Sequence, residues 1–153
     1  MTDTSALRDP RLQSLTYQVT RHGPVGSLEE AAETRGVTPG QVLKTMVVRR
    51  ADEDYLFVLV PGDRNISWPK LRSHLGVNRV SMPDAADALR VTGYERGTIT
   101  PLGSTGEWPV LADERITGLV SIGAGENGVS LQVDGTDLIR VPNADVADVT
   151  DPV

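Results

Sequence analysis

The residues best placed to do chemistry begin with Lys44, in the stretch QVLKTMVVRR at 41–50. It sits among Val42, Leu43, Met46, Val47 and Val48, with Thr45 beside it. A lysine in an apolar run costs stability unless its stem snorkels or its head finds a partner. On a strand, Lys44 shares a face with Val42, Met46 and Val48, while Thr45 faces the other way with Leu43 and Val47. If the Lys44 face walls a cleft, its ammonium is a fixed positive charge for a phosphate or a developing oxyanion. The bland alternative is a snorkelling lysine with no role. Two loops add candidate groups. In Gly97-Thr98-Ile99-Thr100-Pro101, glycine permits close backbone approach to a ligand and proline stiffens the far end. In Ser121-Ile122-Gly123-Ala124-Gly125, small residues could present backbone N–H groups to a carbonyl or oxyanion. For each loop the competing reading is a turn that only reverses the chain.

Conventional catalytic signals are missing. The chain has two histidines and no cysteine, which removes disulfides, thiol catalysis and Cys-ligated zinc. His22 lies in a turn-like stretch, RHGPVG, and His74 lies near a helix C-terminus, where a cation is favourable anyway. No G-x-S-x-G elbow, H-E-x-x-H pair, G-x-G-x-x-G or Walker pattern occurs, so neither a metal nor a nucleotide cofactor is expected.

These residues must be positioned by ordinary globular elements. The 153 residues fit one domain over 1–153; 39% are hydrophobic and 24% charged. No apolar run approaches membrane-helix length, and the N-terminus lacks an apolar block behind a basic start, so no membrane or export signal is expected and the compartment reads as cytoplasmic. The formal net charge of −6 counts against extensive nucleic-acid binding but not against one small site holding an RNA end. The arginines, including Arg49, Arg50, Arg64, Arg72, Arg79, Arg90 and Arg96, are spread along the chain without a basic run.

Ser27 and Glu30 have capping-box spacing and Gly36 offers a stop, predicting a helix over 27–35. Strands are predicted over 42–49 and 55–60, both buried on two faces because neither alternates strictly. Ser67 caps a helix with the stripe Trp68, Leu71, Leu75, ended by Gly76. A strand at 78–82, a helix at 84–90, a strand at 108–112 and a helical turn at 113–116 follow. A hairpin pairs 118–122 with 128–133, and the acidic tail 142–153 reads as surface and frayed. Hairpins interrupted by helices favour an α/β (α+β) fold with a mixed sheet over a doubly wound parallel one.

The ordered set QVLKTMVV, LVPGD at 59–63, TGYERGTITPLG at 92–103 and VSIGAGENG at 120–128 resembles the YbaK/EbsC family of aminoacyl-tRNA deacylases. These are similar in turn to the editing domain inserted in bacterial prolyl-tRNA synthetases. The likeness spans about 17–149. It implies a barrel-like mixed sheet packed with several short helices. It also implies hydrolysis of the ester joining a wrong amino acid to the 3′-terminal adenosine of a tRNA, without metal, cofactor or covalent nucleophile. Lys44 stands at the family's strand lysine, Gly97 to Pro101 match its G-x-x-x-P loop, and Tyr17 matches an aromatic position near the start of its site. The N–H groups of Gly97, Thr98 and 123–125 would complete the cradle. The implied partners are the tRNA 3′ CCA end and, as a candidate, prolyl-tRNA synthetase, with no DNA and no membrane. Cys-tRNA(Pro) is the first substrate, Ala- or Ser-tRNA the next. One departure touches this choice: cysteine-specific members carry a serine where Gly123 falls here, with Ser121 the nearest serine, and Ser130 occupies a position that is acidic in some members. The competing class is a non-catalytic module on the same fold that holds an RNA end, a nucleotide or a synthetase.

Overall fold

The structure is a computed structural model that describes residues 6–23 and 26–153. In chain order its elements are β1 (Tyr17–Arg21), α1 (Leu28–Arg35), β2 (Leu43–Ala51), β3 (Asp54–Pro61), β4 (Arg64–Ile66), α2 (Trp68–Leu75), α3 (Ala85–Thr92), β5 (Val110–Asp113), β6 (Leu119–Gly123), β7 (Val129–Asp134), α4 (Gly135–Arg140), β8 (Asp145–Ala147) and β9 (Thr150–Pro152). No described helix is long and apolar enough to cross a membrane.

β2 and β3 form an antiparallel hairpin in which Lys44 faces Val60 and Thr45 faces Leu59. Every residue of β3 from Tyr55 to Pro61 is buried, so the sheet must be covered on both faces. Leu43, Val47, Phe57 and Leu59 pack into one core with Ile122, Leu131 and Val133, while Val48, Leu56, Val58 and Val60 pack into a second with Leu71 and Val149. This two-sided burial is why the two strands do not alternate. β3 continues through parallel β5 and β8, giving the order β2-β3-β5-β8 with β2 outermost. A second sheet runs β1-β7-β6, and β4 pairs with β9. The sheets form a mixed α/β architecture and do not close into one barrel. An isolated parallel bridge from Val42 to Ser121 joins the two larger sheets.

The serine caps and glycine stops act as expected, while the Glu30 carboxylate accepts from the Gly26 N–H at 3.0 Å instead of closing a box on Ser27. The Ser27 and Ser67 hydroxyls accept from the N–H groups of Glu30 and Lys70, and Gly36 and Gly76 end their helices in the left-handed region. The 78–82 segment is not a strand: Ser81 alone bridges Arg49. Residues 113–116 make a turn closed by the Ile116 N–H on the Asp113 carbonyl, and no helix. The tail is stitched down as β8 and β9, with Val149 and Thr150 fully buried. Buried Asp113 does the stitching: it accepts from the Thr150 hydroxyl at 2.9 Å, the Val149 N–H at 3.4 Å and the Arg115 guanidinium at 3.0 Å.

Asp113→Ala should therefore cost about 3 kcal/mol by urea unfolding, since it takes the acceptor from the buried Thr150 hydroxyl and Val149 N–H, while Arg115 keeps Asp148. Hydrogen exchange should speed up over 145–152 before it does in β2 and β3.

Candidate active site

β2 pairs with β3 along one edge and with almost nothing along the other. The free edge is touched at Val42, by Ser121, and at Arg49, by Ser81. Between these two bridges opens a cavity of about 410 Å³. Its floor is residues 42–47; its walls are Arg35, Met82, Pro83, Ala88, Arg96, Gly97, Ile99 and Gly123. Residues separated by up to 88 positions are thus gathered by the edge of one strand.

Lys44 has its partner. Its ammonium donates to the Arg64 carbonyl at 2.5 Å and to Asn65 Oδ1 at 3.3 Å, on the rim between this cavity and a neighbouring depression lined by Asn65, Trp68 and Met82. No carboxylate among the described residues forms an ion pair with it, so its charge is positioned without being cancelled. Burial pushes its pKa below the ordinary lysine value, partly offset by the charge of Asp63. The buried Thr45 hydroxyl has no hydrogen-bond partner among the described residues.

Arg35 is a site residue that the sequence reading missed. It lies in the last turn of α1, where a cation suits the helix dipole, and nothing in LEEAAETR marks it as a ligand group. Its Nη1 reaches Ser121 Oγ at 3.4 Å, and its Nε is buried without a partner. Desolvation lowers its pKa, and it too lacks an ion pair among the described residues. It stands between the cavity and an adjoining depression lined by His22, Gly97, Gly123 and Glu126. Arg96 closes the set, with Nη2 on the Pro83 carbonyl at 3.3 Å. Three cations and no carboxylate line the cavity.

The two loops divide into residues that face the cavity and residues that build it. Gly97 has φ +91°, and a Cβ there would meet no atom within 4 Å, so its backbone borders open space. The amides of Gly97 and Ile99 donate to no acceptor among the described residues. The Thr98, Ala124 and Gly125 amides, expected as free donors, are occupied by the carbonyls of Glu95, Val129 and Thr98 at 3.0, 3.2 and 3.0 Å. They tie one loop to the other. A Cβ on Gly125 would fall 2.6 Å from the Tyr94 ring, which fixes glycine there. Thr100 is fully buried and accepts from the Leu102 N–H, while Pro101 offers its carbonyl to Arg11 on the far side. Ser121 is buried beneath Arg35 and Gln132. Tyr17 is 37% exposed on the outer strand β1 and lines none of these hollows. The structure therefore brings together Lys44, Thr45, Gly97, Ile99 and Gly123, and leaves Tyr17, Thr98, Thr100, Pro101, Ser121, Ala124 and Gly125 outside the lining. Chemically, the cavity can retain an anionic group and offer two backbone donors, with apolar walls from Val42, Met46 and Met82.

Comparison with known proteins agrees with the resemblance drawn from sequence. A candidate Cys-tRNA(Pro)/Cys-tRNA(Cys) deacylase, EbsC of Enterococcus faecalis, is 27% identical over 126 residues, covering 81% of this chain and 77% of that protein. A proline–tRNA ligase of Desulforamulus reducens is 33% identical over 119 residues, 78% of this chain but 21% of the ligase, so the chain spans about a fifth of the length of that enzyme. The crystal structure of a candidate trans-editing enzyme for prolyl tRNA synthetase superposes with a TM-score of 0.84 over 99% of both chains at 20% identity, which shows the shared fold. The family model of the aminoacyl-tRNA editing domain matches residues 22–141, well over half of the chain, and the chain belongs to that family.

Proposed function

We propose that this protein is an aminoacyl-tRNA deacylase acting in trans on mischarged tRNA, with Cys-tRNA(Pro) the first candidate substrate and Ala- or Ser-tRNA next. One observation carries the reading: a cavity lined by three cations without a carboxylate, beside amides of Gly97 and Ile99 that have no acceptor among the described residues. An aminoacylated RNA end presents a phosphate for the cations and an ester carbonyl for the amides. Water adds to that carbonyl, the oxyanion is held by the two amides, the bond to the ribose oxygen breaks, and that oxygen leaves with a proton. Free amino acid and an uncharged 3′ end result. An ester is already activated, and a terminal ribose hydroxyl can carry the proton, so the missing imidazole and carboxylate are no obstacle. Lys44 and Arg35 hold the phosphate in place. Prolyl-tRNA synthetase, whose relatives carry a similar domain, is the candidate partner that delivers substrate.

The second reading is a non-catalytic module holding an RNA end, and the absence of histidine, aspartate or glutamate from the cavity lining favours it. Release of labelled amino acid from Cys-, Ala- and Ser-charged tRNA(Pro) separates the two. Lys44→Ala should lower kcat/KM by about 10²–10³ while remaining folded, the range for losing one preorganised electrostatic contact. Tight tRNA capture without turnover, unchanged in Lys44→Ala, would move the assignment to the second reading.

The lowered pKa of Lys44 gives a pH test. A lysine with a depressed pKa loses its charge earlier as pH rises, so kcat/KM corrected for base-catalysed hydrolysis should fall before an ordinary lysine would titrate. Lys44→Arg should move that fall upward, because a guanidinium stays charged.

Arg35 should show the opposite balance from a structural residue. Arg35→Met removes a guanidinium whose Nε is unsatisfied, so the urea midpoint should be no lower than wild type. Binding of AMP, a probe for the phosphate subsite, should weaken about tenfold.

Gly123 gives a test of substrate choice. A Cβ there would lie 3.7 Å from the Thr98 carbonyl, an ordinary contact, so Gly123→Ser should fold normally. It should change the ratio of kcat/KM for Cys- over Ala-tRNA(Pro) at least threefold, read by competition between the two substrates.

A further inference from the structure

Four of the arginines scattered in the sequence meet around one groove. Arg49 and Arg50 come from the far end of β2, Arg72 from α2, and Arg79 from the segment before α3, enclosing about 520 Å³. The remaining lining is Ala51, Asn78, Val80 and Ser81, with no carboxylate. Asp52 pairs with Arg49, and Asp54 with Arg50 at 2.9 Å, from the turn that leads out of β2. Arg72 and Arg79 have no ion pair or side-chain hydrogen bond among the described residues. Two pairs of like charges converging on one groove repel each other, and a chain of net charge −6 has carboxylates enough to neutralise all four. Two guanidinium forks left open here await an anion from outside.

The groove lies next to the cavity, on the other side of the Arg49–Ser81 bridge. Val80 and Ser81 line the groove, and the next two residues, Met82 and Pro83, line the cavity. Ser81 is fixed to β2 by two backbone bonds to Arg49, at 2.8 and 3.1 Å. Lys44 and Arg49 lie five residues apart on one strand, about 17 Å at the usual rise of ~3.3 Å per residue. A few nucleotides span that distance.

We propose that this arginine groove binds the phosphodiester backbone of the RNA upstream of the 3′ end, extending the site from the terminal nucleotide toward the acceptor stem. The proposal rests on the deacylase reading for the placement of that end. Arginine forks suit phosphate oxygens, and contacts of this kind position an RNA without reading its sequence. An acidic protein segment would find little apolar surface here to anchor it, since Ala51 and Val80 are the groove's apolar contribution.

The test uses uncharged tRNA as probe and the variant Arg72→Gln/Arg79→Gln, with circular dichroism to check folding. Loss of two phosphate contacts should weaken binding about tenfold near 0.1 M salt. It should also reduce the slope of log K against log salt by about 1.4–1.8. Asp52→Asn, which frees Arg49, should tighten binding a few-fold. Hydrolysis of a 5′-phosphorylated aminoacyl-adenosine, a single nucleotide too short to reach the groove, should be unchanged in the double variant, while hydrolysis of full-length aminoacyl-tRNA falls. Equal tRNA affinity and equal salt slope in wild type and double variant would overturn the proposal. So would undetectable tRNA binding by wild type, or a loss confined to synthetase binding. If wild type hydrolyses neither substrate, the deacylase reading fails, and the tRNA-binding series still decides the groove.

Discussion

The strand β3 sets the terms for the rest of the molecule. Seven consecutive buried residues, Tyr55 to Pro61, present apolar side chains to both faces of the sheet. Each fully buried Leu, Val or Phe contributes about 1.5–3 kcal/mol, so neither face can be left in water. One face is met by the three-stranded sheet and the other by α2 and the C-terminal segment. The sheet then grows from β3 through β5 toward β8, and β2 is left as the outer strand. An outer strand carries unpaired backbone groups along its free edge, which most folds cover or blunt. Here the edge is tied at Val42 and Arg49 and left open between them. The candidate site is that opening.

The charges follow the same geometry. Much of the acidic surplus is committed elsewhere: Asp113 and Asp148 to Arg115, Asp148 and Asp151 to Lys70, Asp145 to His74, Glu53 to Arg90. Around the cavity, carbonyl and hydroxyl oxygens take the place of carboxylates as partners for Lys44, Arg35 and Arg96. A carbonyl orients a cation while leaving its charge available. In a partly enclosed hollow with apolar walls, such charges are screened less than on an open surface and draw anions from a distance. This resolves the tension between an acidic chain and an anionic ligand, since the local field decides the encounter.

How much of this could be read from sequence depended on whether the signal was local. Lys44 stood out because a charge in an apolar run violates the strand pattern, Gly97 because a glycine and a proline bracket its loop, and Gly123 because small residues cluster where a strand ends. The helix caps at Ser27 and Ser67 were legible for the same reason. Arg35 was not, because its importance comes from Ser121, 86 residues away, and from the depth at which α1 packs. The roles of Thr98, Ala124 and Gly125 were misassigned because composition shows that a backbone can bend but not which carbonyl takes its N–H. The tail looked frayed because its residues are acidic; Asp113, a distant carboxylate, buries Val149 and Thr150 anyway. β1 was missed because YQVTR is exposed at all but half-buried Thr20 and is held as a strand by its register with β7. The arginine groove is the same lesson in charge: no run marks it, and the topology assembles it.

On the deacylase reading, a cavity without histidine or carboxylate side chains limits what the protein contributes to position and charge. Proton transfer then belongs to the substrate and to water, and any amino acid held with its ester against Gly97 and Ile99 is exposed to the same chemistry. Discrimination must come from space. Gly123 leaves its side of the cavity unfilled, and the nearest atoms an added Cβ would meet are backbone atoms of Thr98 and Ile99. Nearby, Ser130 sits opposite Gly123 in the ladder, fully buried, with a hydroxyl that has no partner among the described residues. A site that cannot choose by reactivity chooses by which side chain fits between the cations and this small-residue wall. On that reading, position 123, which touches no conventional catalytic group, is where substrate choice would be set.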